Sequence, residues 1–450
     1  MKYDSVIIGF GKGGKTLAAA LAGRGEKVAV IEKSNKMYGG TCINVGCIPS
    51  KSLVRSSGLS RLNSTDSFDA RDEKYKKAIE EKRRVTSMLR QKNYDKLNSL
   101  SNVTVIDGTA SFLSNTEILI KKDGAENKVS ADKIFINTGS TAVIPDIEGI
   151  NNNPKVFTSE TLMELEKLPR NLTIIGGGYI GLEFASMYSN FGSRVTVIQD
   201  GGDFIPKEDR DIANEIQKVL EENGVSFIFS AKTYKIDGAD VYYKKEENDF
   251  ILNGDAVLIA TGRRPNTDGL CADKAGVELT ARGAVKVDDG LKTTASNIWA
   301  MGDVCGSLQF TYVSLDDCRI VLSQLNKGEE RKLSSRRNVP YSVFISPSFS
   351  RVGLSEKEAL EKGYKIKVAR LPAAAVPKAQ VLKQTSGLLK AVIDADTNKV
   401  LGAMLFCEES YETINIVKLA MDMEADYRVL RDNIYTHPTM SEALNDLFAV

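Results

Sequence analysis

Cys42 and Cys47 lie five residues apart, and their type and spacing fit covalent redox chemistry. A disulfide closing so short a loop would restrain the unfolded chain by only about 2 kcal/mol, which is little for a structural bridge. In an ideal helix the two Cα atoms would lie about 7.5 Å apart by rise alone, beyond the roughly 7 Å that a disulfide tolerates. Bonding them needs a distorted helix start, with Gly46 as the point of relief, and strained disulfides are easily reduced. We therefore predict a redox-active dithiol.

Two other interpretations of this pair are a metal site and a pair of unreactive thiols. Two thiolates supply only half of a zinc site, and the chain has no second cysteine pair, so we expect no metal centre. Alternatively, both cysteines are unreactive thiols on one helix face. The single histidine, His437, excludes a site with several histidine ligands in one chain, so any imidazole chemistry falls to this residue.

The segment around His437 allows a structural or a catalytic interpretation. Thr439 and Glu442 have the spacing of a capping box at a helix start, and Pro438 suits the turn before it. In the catalytic interpretation Glu442 orients His437, which passes protons to and from a thiol. The spacing is equally compatible with both.

Two glycine-rich turns follow apolar strands and open helices, which is the context that a dinucleotide-binding fingerprint requires. Their glycines are Gly9, Gly11 and Gly14 in the first turn and Gly176, Gly178 and Gly181 in the second. The same interval separates Gly9 from Glu32 and Gly176 from Gln199. Glu32 is expected to bind the ribose diol of an unphosphorylated adenosine. Gln199 would not repel a 2′-phosphate, but no arginine follows within 200–206, so the choice between NADH and NADPH stays open at the second site.

The strands and helices expected around the cysteines and the glycine-rich turns indicate an α/β protein. Strand–turn–helix–strand units are expected at 4–31 and 172–199, and a long charged helix at 71–100. Residues 340–450 read as a separate α+β domain without a glycine fingerprint. The chain has 60 Lys+Arg against 59 Asp+Glu, and this balance gives no pull toward nucleic acid or anionic membranes. We expect a cytoplasmic protein, because the N-terminus runs straight into a strand and no apolar run is long enough for a membrane span.

These motifs together resemble the pyridine nucleotide-disulfide oxidoreductases with a redox-active CxxxxC, such as lipoamide dehydrogenase, glutathione reductase and mercuric reductase. The segments that carry the likeness are GGTCINVGCIPSK, GGGYIGLEFAS, ATGRRPN, MGDV and THPTMSE, in the family's order. The resemblance implies two Rossmann-like domains, for FAD and for NADPH or NADH, and a C-terminal α+β domain that forms a homodimer. The implied boundaries are 1–146 and 265–336 for the two parts of the FAD domain, 147–264 for the NAD(P)H domain and 337–450 for the dimerisation domain.

The resemblance also implies a role for each residue of the dithiol site. Cys47 lies against the flavin, and Cys42 meets the substrate. His437 and Glu442 serve the dithiol of the partner subunit. We expect the pKa of Cys42 to fall below the ordinary value of about 8.5, because a helix N-terminus and a nearby imidazolium both favour its thiolate.

Further residues are implied to contact the cofactors. Lys51 and Glu183 should pair near the reactive edge of the flavin. Asp303 should bind the ribitol chain of FAD, and Thr138 and Gly262 should lie along the cofactor paths.

Within the family, four stretches look like the reactive-chlorine-resistance flavoproteins, also described as hypothiocyanous acid reductases: GFGKGGKTLA, IWAMGDV, LQFTYVSLDDCRIV and NVPYSVF. The expected function is therefore electron transfer from NAD(P)H through FAD and the dithiol to hypothiocyanous acid, in defence against oxidative stress. A dihydrolipoamide dehydrogenase, a Cu(II) or Hg(II) reductase and a low-turnover flavin redox sensor stay open as alternatives. The C-terminal sequence NDLFAV lacks the cysteine pair of mercuric reductase, and Tyr435-Thr436 stands where lipoamide dehydrogenase typically has a second histidine.

Overall fold

The computed structural model describes residues 1–62, 66–326 and 331–450, which form a mixed α/β protein as predicted. The strands are β1 (Lys2–Ile8), β2 (Val28–Glu32), β3 (Val103–Asp107), β4 (Thr109–Phe112), β5 (Glu117–Lys122), β6 (Ala125–Ile136), β7 (Ser140–Ala142), β8 (Val156–Thr158), β9 (Asn171–Ile175), β10 (Arg194–Ile198), β11 (Val225–Ile228), β12 (Ala231–Asp237), β13 (Asp240–Lys245), β14 (Asn248–Leu252), β15 (Ala256–Ile259), β16 (Arg263–Pro265), β17 (Ile298–Ala300), β18 (Tyr341–Val343), β19 (Phe349–Gly353), β20 (Ile366–Pro372), β21 (Leu388–Asp394) and β22 (Val400–Phe406).

Thirteen α-helices accompany these strands in the part of the chain that the structure describes. They are α1 (Lys12–Ala22), α2 (Thr41–Asn44), α3 (Cys47–Arg61), α4 (Phe68–Asn98), α5 (Ser159–Leu162), α6 (Tyr179–Phe191), α7 (Arg210–Glu222), α8 (Thr311–Leu325), α9 (Glu356–Glu361), α10 (Pro377–Leu382), α11 (Ser410–Asp422), α12 (Arg428–Arg431) and α13 (Ala443–Leu447). Among the described residues, no helix combines the length and the apolar character that a membrane crossing requires.

The chain divides into two compact units, and unit one consists of Met1–Leu53, Lys77–Ile144 and Gly262–Arg336. Its main sheet has the order β3-β2-β1-β6-β5-β4, and β17 pairs in parallel with β6. Strands β1, β2, β3 and β6 are parallel neighbours, and every residue of β2 is buried, as a strand covered on both faces requires. Helices α1 and α8 pack together, and apolar residues of both join one core.

Unit two consists of Val54–Lys76, Pro145–Thr261 and Arg337–Val450. It contains a parallel sheet of order β11-β10-β9-β15-β8, a three-stranded antiparallel sheet β12-β13-β14, and an antiparallel sheet of order β18-β19-β22-β21-β20. Helix α11 packs against β19 and β22. The two predicted strand–turn–helix–strand units are confirmed as β1-α1-β2 in unit one and β9-α6-β10 in unit two.

Candidate functional site

The two cysteines of the predicted dithiol lie on two consecutive short helical segments. Cys42 belongs to α2, the backbone leaves the helical conformation at Val45 with φ −139° and ψ 9°, and α3 begins at Cys47. The predicted distortion between the cysteines is therefore present. A Cβ on Gly40 would lie 2.6 Å from the Cα of Gly11, so the dithiol segment packs directly on the first glycine-rich turn.

Both thiols are free in this structure, and they divide the negative charge unequally. A hydrogen bond from the Cys42 thiol lowers the pKa of Cys47 to about 6, against the effect of burial, and the Thr311 hydroxyl and the Lys51 charge act in the same direction. The Cys47 Sγ lies 3.5 Å from the Thr311 Oγ1. The pKa of Cys42 is raised, because its proton is held by Cys47 and because it is buried. The predicted fall in the pKa of Cys42 is therefore wrong for this chain, since the anion resides on Cys47.

The first glycine-rich turn is closed tightly by the protein itself. Gly9 has φ +106°, and a Cβ there would lie 2.3 Å from the Asn137 carbonyl oxygen. Gly11 is the N-cap of α1, and its Cβ would lie 2.6 Å from the Asn137 Oδ1. A Cβ on Gly14 would lie 2.6 Å from the Gly9 carbonyl oxygen. Because these three positions are glycines, the backbone forms a tight turn, called here a cradle, at a helix N-terminus. A pyrophosphate needs such a turn in order to approach the backbone N–H groups closely.

The side chain of Asn137 organises this cradle, and sequence reasoning did not select it. Its Oδ1 accepts a hydrogen bond from the Gly14 N–H at 2.9 Å, and its Nδ2 donates to the Met301 carbonyl at 2.7 Å. The Ser314 Oγ accepts from the Gly13 N–H at 3.2 Å. The available signal was the position of Asn137 directly after a buried parallel strand, where binding residues collect in such sheets.

Glu32 lies at the carboxyl end of β2, close to the same turn. Its Oε2 accepts a hydrogen bond from the Phe10 N–H at 3.0 Å, and its Oε1 accepts from the Ser34 N–H at 3.3 Å. Burial raises the pKa of Glu32, and these two backbone donors oppose that effect. The structure thus brings the first fingerprint and its acidic partner to one edge of the unit-one sheet.

Asp303 and Thr138 are also held at this end of unit one. The Ser140 hydroxyl donates to the Asp303 Oδ2 at 2.7 Å, and the Arg263 Nε donates to the same hydroxyl at 3.0 Å. The Thr138 hydroxyl donates to the Asn266 carbonyl at 2.7 Å. These contacts follow from the pairing of β7 with β16.

A buried ion pair fixes the turn that carries Asp303, and sequence reasoning did not find it. The Asp317 side chain is completely buried, and its Oδ2 accepts from the Gly302 N–H at 2.7 Å. Arg336 donates to the other oxygen of Asp317. Gly302 has φ +80°, so the turn also depends on glycine.

The second glycine-rich turn repeats the backbone of the first, but its middle is open. Gly176 has φ +111°, and a Cβ there would lie 2.5 Å from the Ala260 carbonyl oxygen. A Cβ on Gly181 would lie 2.2 Å from the Gly176 carbonyl oxygen. A Cβ on Gly178, the N-cap of α6, would meet no atom within 4 Å. Gly262, with φ +118°, faces equally open space.

Gln199 follows β10 and bonds to its own loop. Its Nε2 donates to the carbonyl oxygens of Gly201 at 3.1 Å and Asp203 at 2.9 Å. Its Oε1 lies beside Gly177, where a Cβ would come within 2.0 Å of it.

Glu183 and Lys51 lie in different units. Glu183 is on α6, and its Oε1 accepts a hydrogen bond from the Phe344 N–H at 2.9 Å. Lys51 is on α3 and contributes to the stabilised Cys47 thiolate. Their pairing at a flavin stays a prediction.

His437 and Glu442 form a hydrogen-bonded pair. The His437 Nδ1 lies 2.7 Å from the Glu442 Oε2, and the His437 side chain is 70% exposed whereas that of Glu442 is 15% exposed. The Thr439 hydroxyl accepts from the Glu442 N–H at 3.3 Å. The structural interpretation of a capping box is not realised, because α13 begins at Ala443 and Glu442 is itself its N-cap. The geometry favours the orienting role of Glu442.

The two turns fit the nucleotides that the sequence predicts, because both offer close backbone approach at a helix N-terminus. Among the described residues, no cluster of three or more His, Cys, Asp or Glu side chains has the arrangement of a metal site. The structure therefore combines two dinucleotide cradles with a dithiol that borders the first of them.

Comparison with known proteins decides the family. The family model of the pyridine nucleotide-disulphide oxidoreductases matches residues 3–317, and the model of the dimerisation domain of the same family matches residues 339–448. The chain belongs to this family.

Individual relatives cover almost the whole chain. The chain is 49% identical over 449 residues to the probable pyridine nucleotide-disulfide oxidoreductase RclA of Escherichia coli, covering 100% of this chain and 99% of that protein. It is 34% identical to a mercuric reductase of Bacillus cereus, covering 98% of this chain and 70% of the reductase. A solved Cu(II) complex of the HOCl-induced flavoprotein disulfide reductase RclA from Escherichia coli matches with a TM-score of 0.94 and 48% identity, covering 100% of this chain and 99% of that one.

Membership of this family fixes the class of chemistry. The protein is an oxidoreductase that contains FAD and uses NAD(P)H. Its C-terminal part is the family's dimerisation domain, which supports the expected homodimer.

Proposed function

We propose that this enzyme moves electrons from NAD(P)H through FAD and the Cys42–Cys47 pair to a reactive oxidant, with hypothiocyanous acid as the substrate. The observation that carries the proposal is the unequal dithiol beside the first nucleotide cradle. Cys47 is held as the thiolate, Cys42 keeps its proton, and both lie on a segment packed against Gly11. The similarity to the HOCl-induced flavoprotein disulfide reductase RclA supports an oxidant as the substrate.

The residues of unit one would hold FAD, and those of the second turn would hold NAD(P)H. Gly9, Gly11 and Gly14 would face the pyrophosphate of FAD, while Glu32 and Asp303 would bind its ribose and ribitol. When bound there, FAD would supply the hydride and electron chemistry that links NAD(P)H to the disulfide. The chain's own task is to hold the two sulfurs close enough to be reduced and reoxidised.

The dithiol can reduce hypothiocyanous acid in two displacements. In the first, the Cys42 sulfur attacks the oxidant's sulfur, so that an S–S bond forms, the S–O bond breaks and the oxygen leaves as water after protonation. In the second, the Cys47 thiolate attacks the Cys42 sulfur and expels thiocyanate, which restores the disulfide. The two thiols supply the two electrons that the oxidant gains.

We propose that His437 of the partner subunit transfers the protons in these steps. The Cys42 sulfur must lose its proton before attack, and the departing hydroxide must gain one. An imidazole oriented by a carboxylate does both, and the 2.7 Å contact with Glu442 provides that orientation.

The decisive experiment follows NADH and NADPH oxidation by the purified holoenzyme with hypothiocyanous acid, oxidised glutathione, lipoamide and Cu(II). Hypothiocyanous acid should give the highest kcat/KM. Cys42→Ser should abolish its reduction while FAD stays bound, and Cys271→Ser, a substitution outside the site, should leave turnover unchanged. Unchanged turnover in Cys42→Ser would refute the dithiol route.

Cu(II) is a second candidate substrate, because the similar RclA structure is a Cu(II) complex. The two thiols could pass one electron to each of two Cu(II) ions. If Cu(II) sustains faster NADH oxidation than hypothiocyanous acid at equal concentration, metal reduction is the better assignment.

The homodimer with shared active sites can be tested by mixing two inactive variants. Chains carrying Cys42→Ser and chains carrying His437→Ala are refolded together. If each site combines Cys42 of one chain with His437 of the other, mixed dimers contain one intact site and regain activity. If both residues act within one chain, the mixture stays inactive. We also propose the domain division 1–146, 147–264, 265–336 and 337–450, and a cytoplasmic location.

A further inference from the structure

We propose that the second nucleotide site selects NADH over NADPH, and that the selecting element is the segment 199–206, called here the 199–206 loop. In doubly wound folds the residue at the end of the second strand faces the adenosine ribose, and NADP sites place an arginine there to accommodate the 2′-phosphate. The inference concerns the electron donor and holds whichever oxidant the enzyme reduces.

The donors of Gln199 are already used inside the loop. Its Nε2 donates to the carbonyl oxygens of Gly201 and Asp203, at 3.1 and 2.9 Å. An amide nitrogen has two hydrogens, so both are engaged. The remaining polar atom is Oε1, an acceptor, which suits a ribose hydroxyl and opposes a phosphate oxygen.

Arg210, the next arginine along the chain, uses three of its five N–H donors on backbone carbonyls. Its Nη1 donates to the Phe204 carbonyl at 2.9 Å, and its Nη2 donates to the carbonyls of Ile205 at 2.8 Å and Glu208 at 3.0 Å. Its guanidinium therefore holds the end of the loop. Gripping a phosphate with these groups would require breaking those bonds.

The loop is also tied to the neighbouring strand ends. The Gln199 N–H donates to the Ile228 carbonyl at 3.0 Å, the Ser230 N–H to the Gly201 carbonyl at 3.1 Å and the Ala231 N–H to the Gln199 carbonyl at 3.1 Å. These bonds fix its conformation before any nucleotide binds. The pattern of charges that a nucleotide meets is therefore set in advance.

That pattern is acidic. Asp200 and Asp203 are exposed, and 199–206 contains neither lysine nor arginine. A phosphate carries close to two negative charges at neutral pH, so both carboxylates repel it, whereas the 2′-hydroxyl of NADH carries none. Lys207 is the nearest lysine in sequence and is exposed, so the experiment must include it.

The test measures anaerobic flavin reduction in the holoenzyme by NADH and by NADPH before any oxidant is added. This separates the inference from the proposed substrate. The second-order rate constant of flavin reduction should be at least about tenfold higher with NADH, a difference of about 1.4 kcal/mol. Calorimetric titration should show that 5′-ADP binds more tightly than 2′,5′-ADP. Equal or better use of NADPH, or tighter binding of 2′,5′-ADP, would overturn the inference.

Variants locate the selection in the loop. The double variant Asp200→Asn/Asp203→Asn should shift the NADH-to-NADPH ratio severalfold toward NADPH and make that ratio less sensitive to salt. The matched control Asp123→Asn, on an exposed turn of unit one, should leave the ratio unchanged, and Lys207→Gln should not move it by more than about twofold. An unchanged ratio in the double variant, or a collapse of NADPH use in Lys207→Gln, would show that the loop acidity does not select the nucleotide.

Discussion

The two glycine fingerprints have nearly the same backbone, but only in the first is the middle glycine packed against another side chain of the protein. Gly9 and Gly176 have φ values of +106° and +111°, and each faces a strand-end carbonyl. The middle glycines differ, because a Cβ on Gly11 would lie 2.6 Å from the Asn137 Oδ1 whereas a Cβ on Gly178 would meet nothing within 4 Å. One motif therefore yields a closed cradle and an open one.

The difference comes from a single strand-end residue in each unit. The Asn137 and Ala260 carbonyls face Gly9 and Gly176 in the same way, at 2.3 and 2.5 Å from an added Cβ. Asn137 also has an amide that bonds Gly14 and Met301, and the methyl group of Ala260 cannot do this. A closed cradle suits a cofactor that stays bound, and an open one suits a nucleotide that must leave after each turnover.

The largest effect should come from adding a methyl group to each middle glycine. Gly11→Ala should weaken FAD binding by about 3 kcal/mol, because the new Cβ overlaps the Asn137 amide. Gly178→Ala should keep its full flavin content and raise only the KM for the nucleotide. Flavin absorbance per chain and steady-state kinetics check both outcomes. Similar flavin content in the two variants would remove the distinction between the cradles.

Removing the closing amide should have the next largest effect. Asn137→Ala leaves the buried Gly14 N–H and Met301 carbonyl without their partner, which should cost about 2–3 kcal/mol in the free energy of unfolding and release flavin more readily. Denaturant unfolding and flavin retention after gel filtration measure these changes. Asn153→Ala is the control, because it also removes two hydrogen bonds between a side-chain amide and the backbone but lies in unit two. If Asn153→Ala released flavin equally, the effect would not belong to the first cradle.

Exchanging the strand-end side chains should have a smaller effect. Glu32→Gln keeps an acceptor for the Phe10 N–H but removes the charge, so FAD affinity should fall by about 1–2 kcal/mol. Gln199→Glu places a carboxylate against the carbonyls of Gly201 and Asp203, so the loop should loosen and protease cleavage within it should increase. Fluorescence titration with FAD and limited proteolysis measure the two effects. Tighter FAD binding by Glu32→Gln would contradict the assigned role of the acid.

The smallest effect concerns the dithiol that borders the first cradle. With a pKa of about 6, Cys47 stays a thiolate above that pH and is protonated as the pH falls through it. Thr311→Val removes a hydroxyl that stabilises the thiolate, so the pKa should rise by about one unit and the transition should move to higher pH. Alkylation of Cys47 in the reduced enzyme, followed by mass spectrometry across pH, measures it. Thr311→Ser should behave like the parent enzyme. If the pH at which Cys47 ionises does not change in Thr311→Val, the Thr311 hydroxyl does not stabilise the thiolate.

Local features of the fold were predictable from the sequence. The glycine turns, their flanking strands and the long helix at 71–100, observed as Phe68–Asn98, depend on residue types within a few positions of one another. A distortion between the two cysteines followed from their spacing, although the backbone leaves the helical conformation at Val45 and not at the predicted Gly46. The start of strand β6 was not predictable, because its first five residues, AENKV, are exposed at four positions and lack an apolar pattern.

Contacts between distant parts of the chain were not predictable in this way. Thr311 lies 264 residues from Cys47, and Asn137 lies 164 residues from Met301. Neither partner shows in the local pattern. The pKa of Cys42 is raised and not lowered, because two adjacent sulfurs share one charge and the anion is stabilised on Cys47.

The course of the chain through unit one has a consequence for its synthesis. Strand β17 pairs with β6, placing Ile298 beside Ile134, although the whole of 145–261 is translated between them. While a ribosome makes the intervening segment, β6 has an unsatisfied edge, and the turn that presents Asp303 does not yet exist. Flavin capture is therefore expected late in translation, and a nascent chain stalled before residue 298 should expose a sheet edge that chaperones must protect.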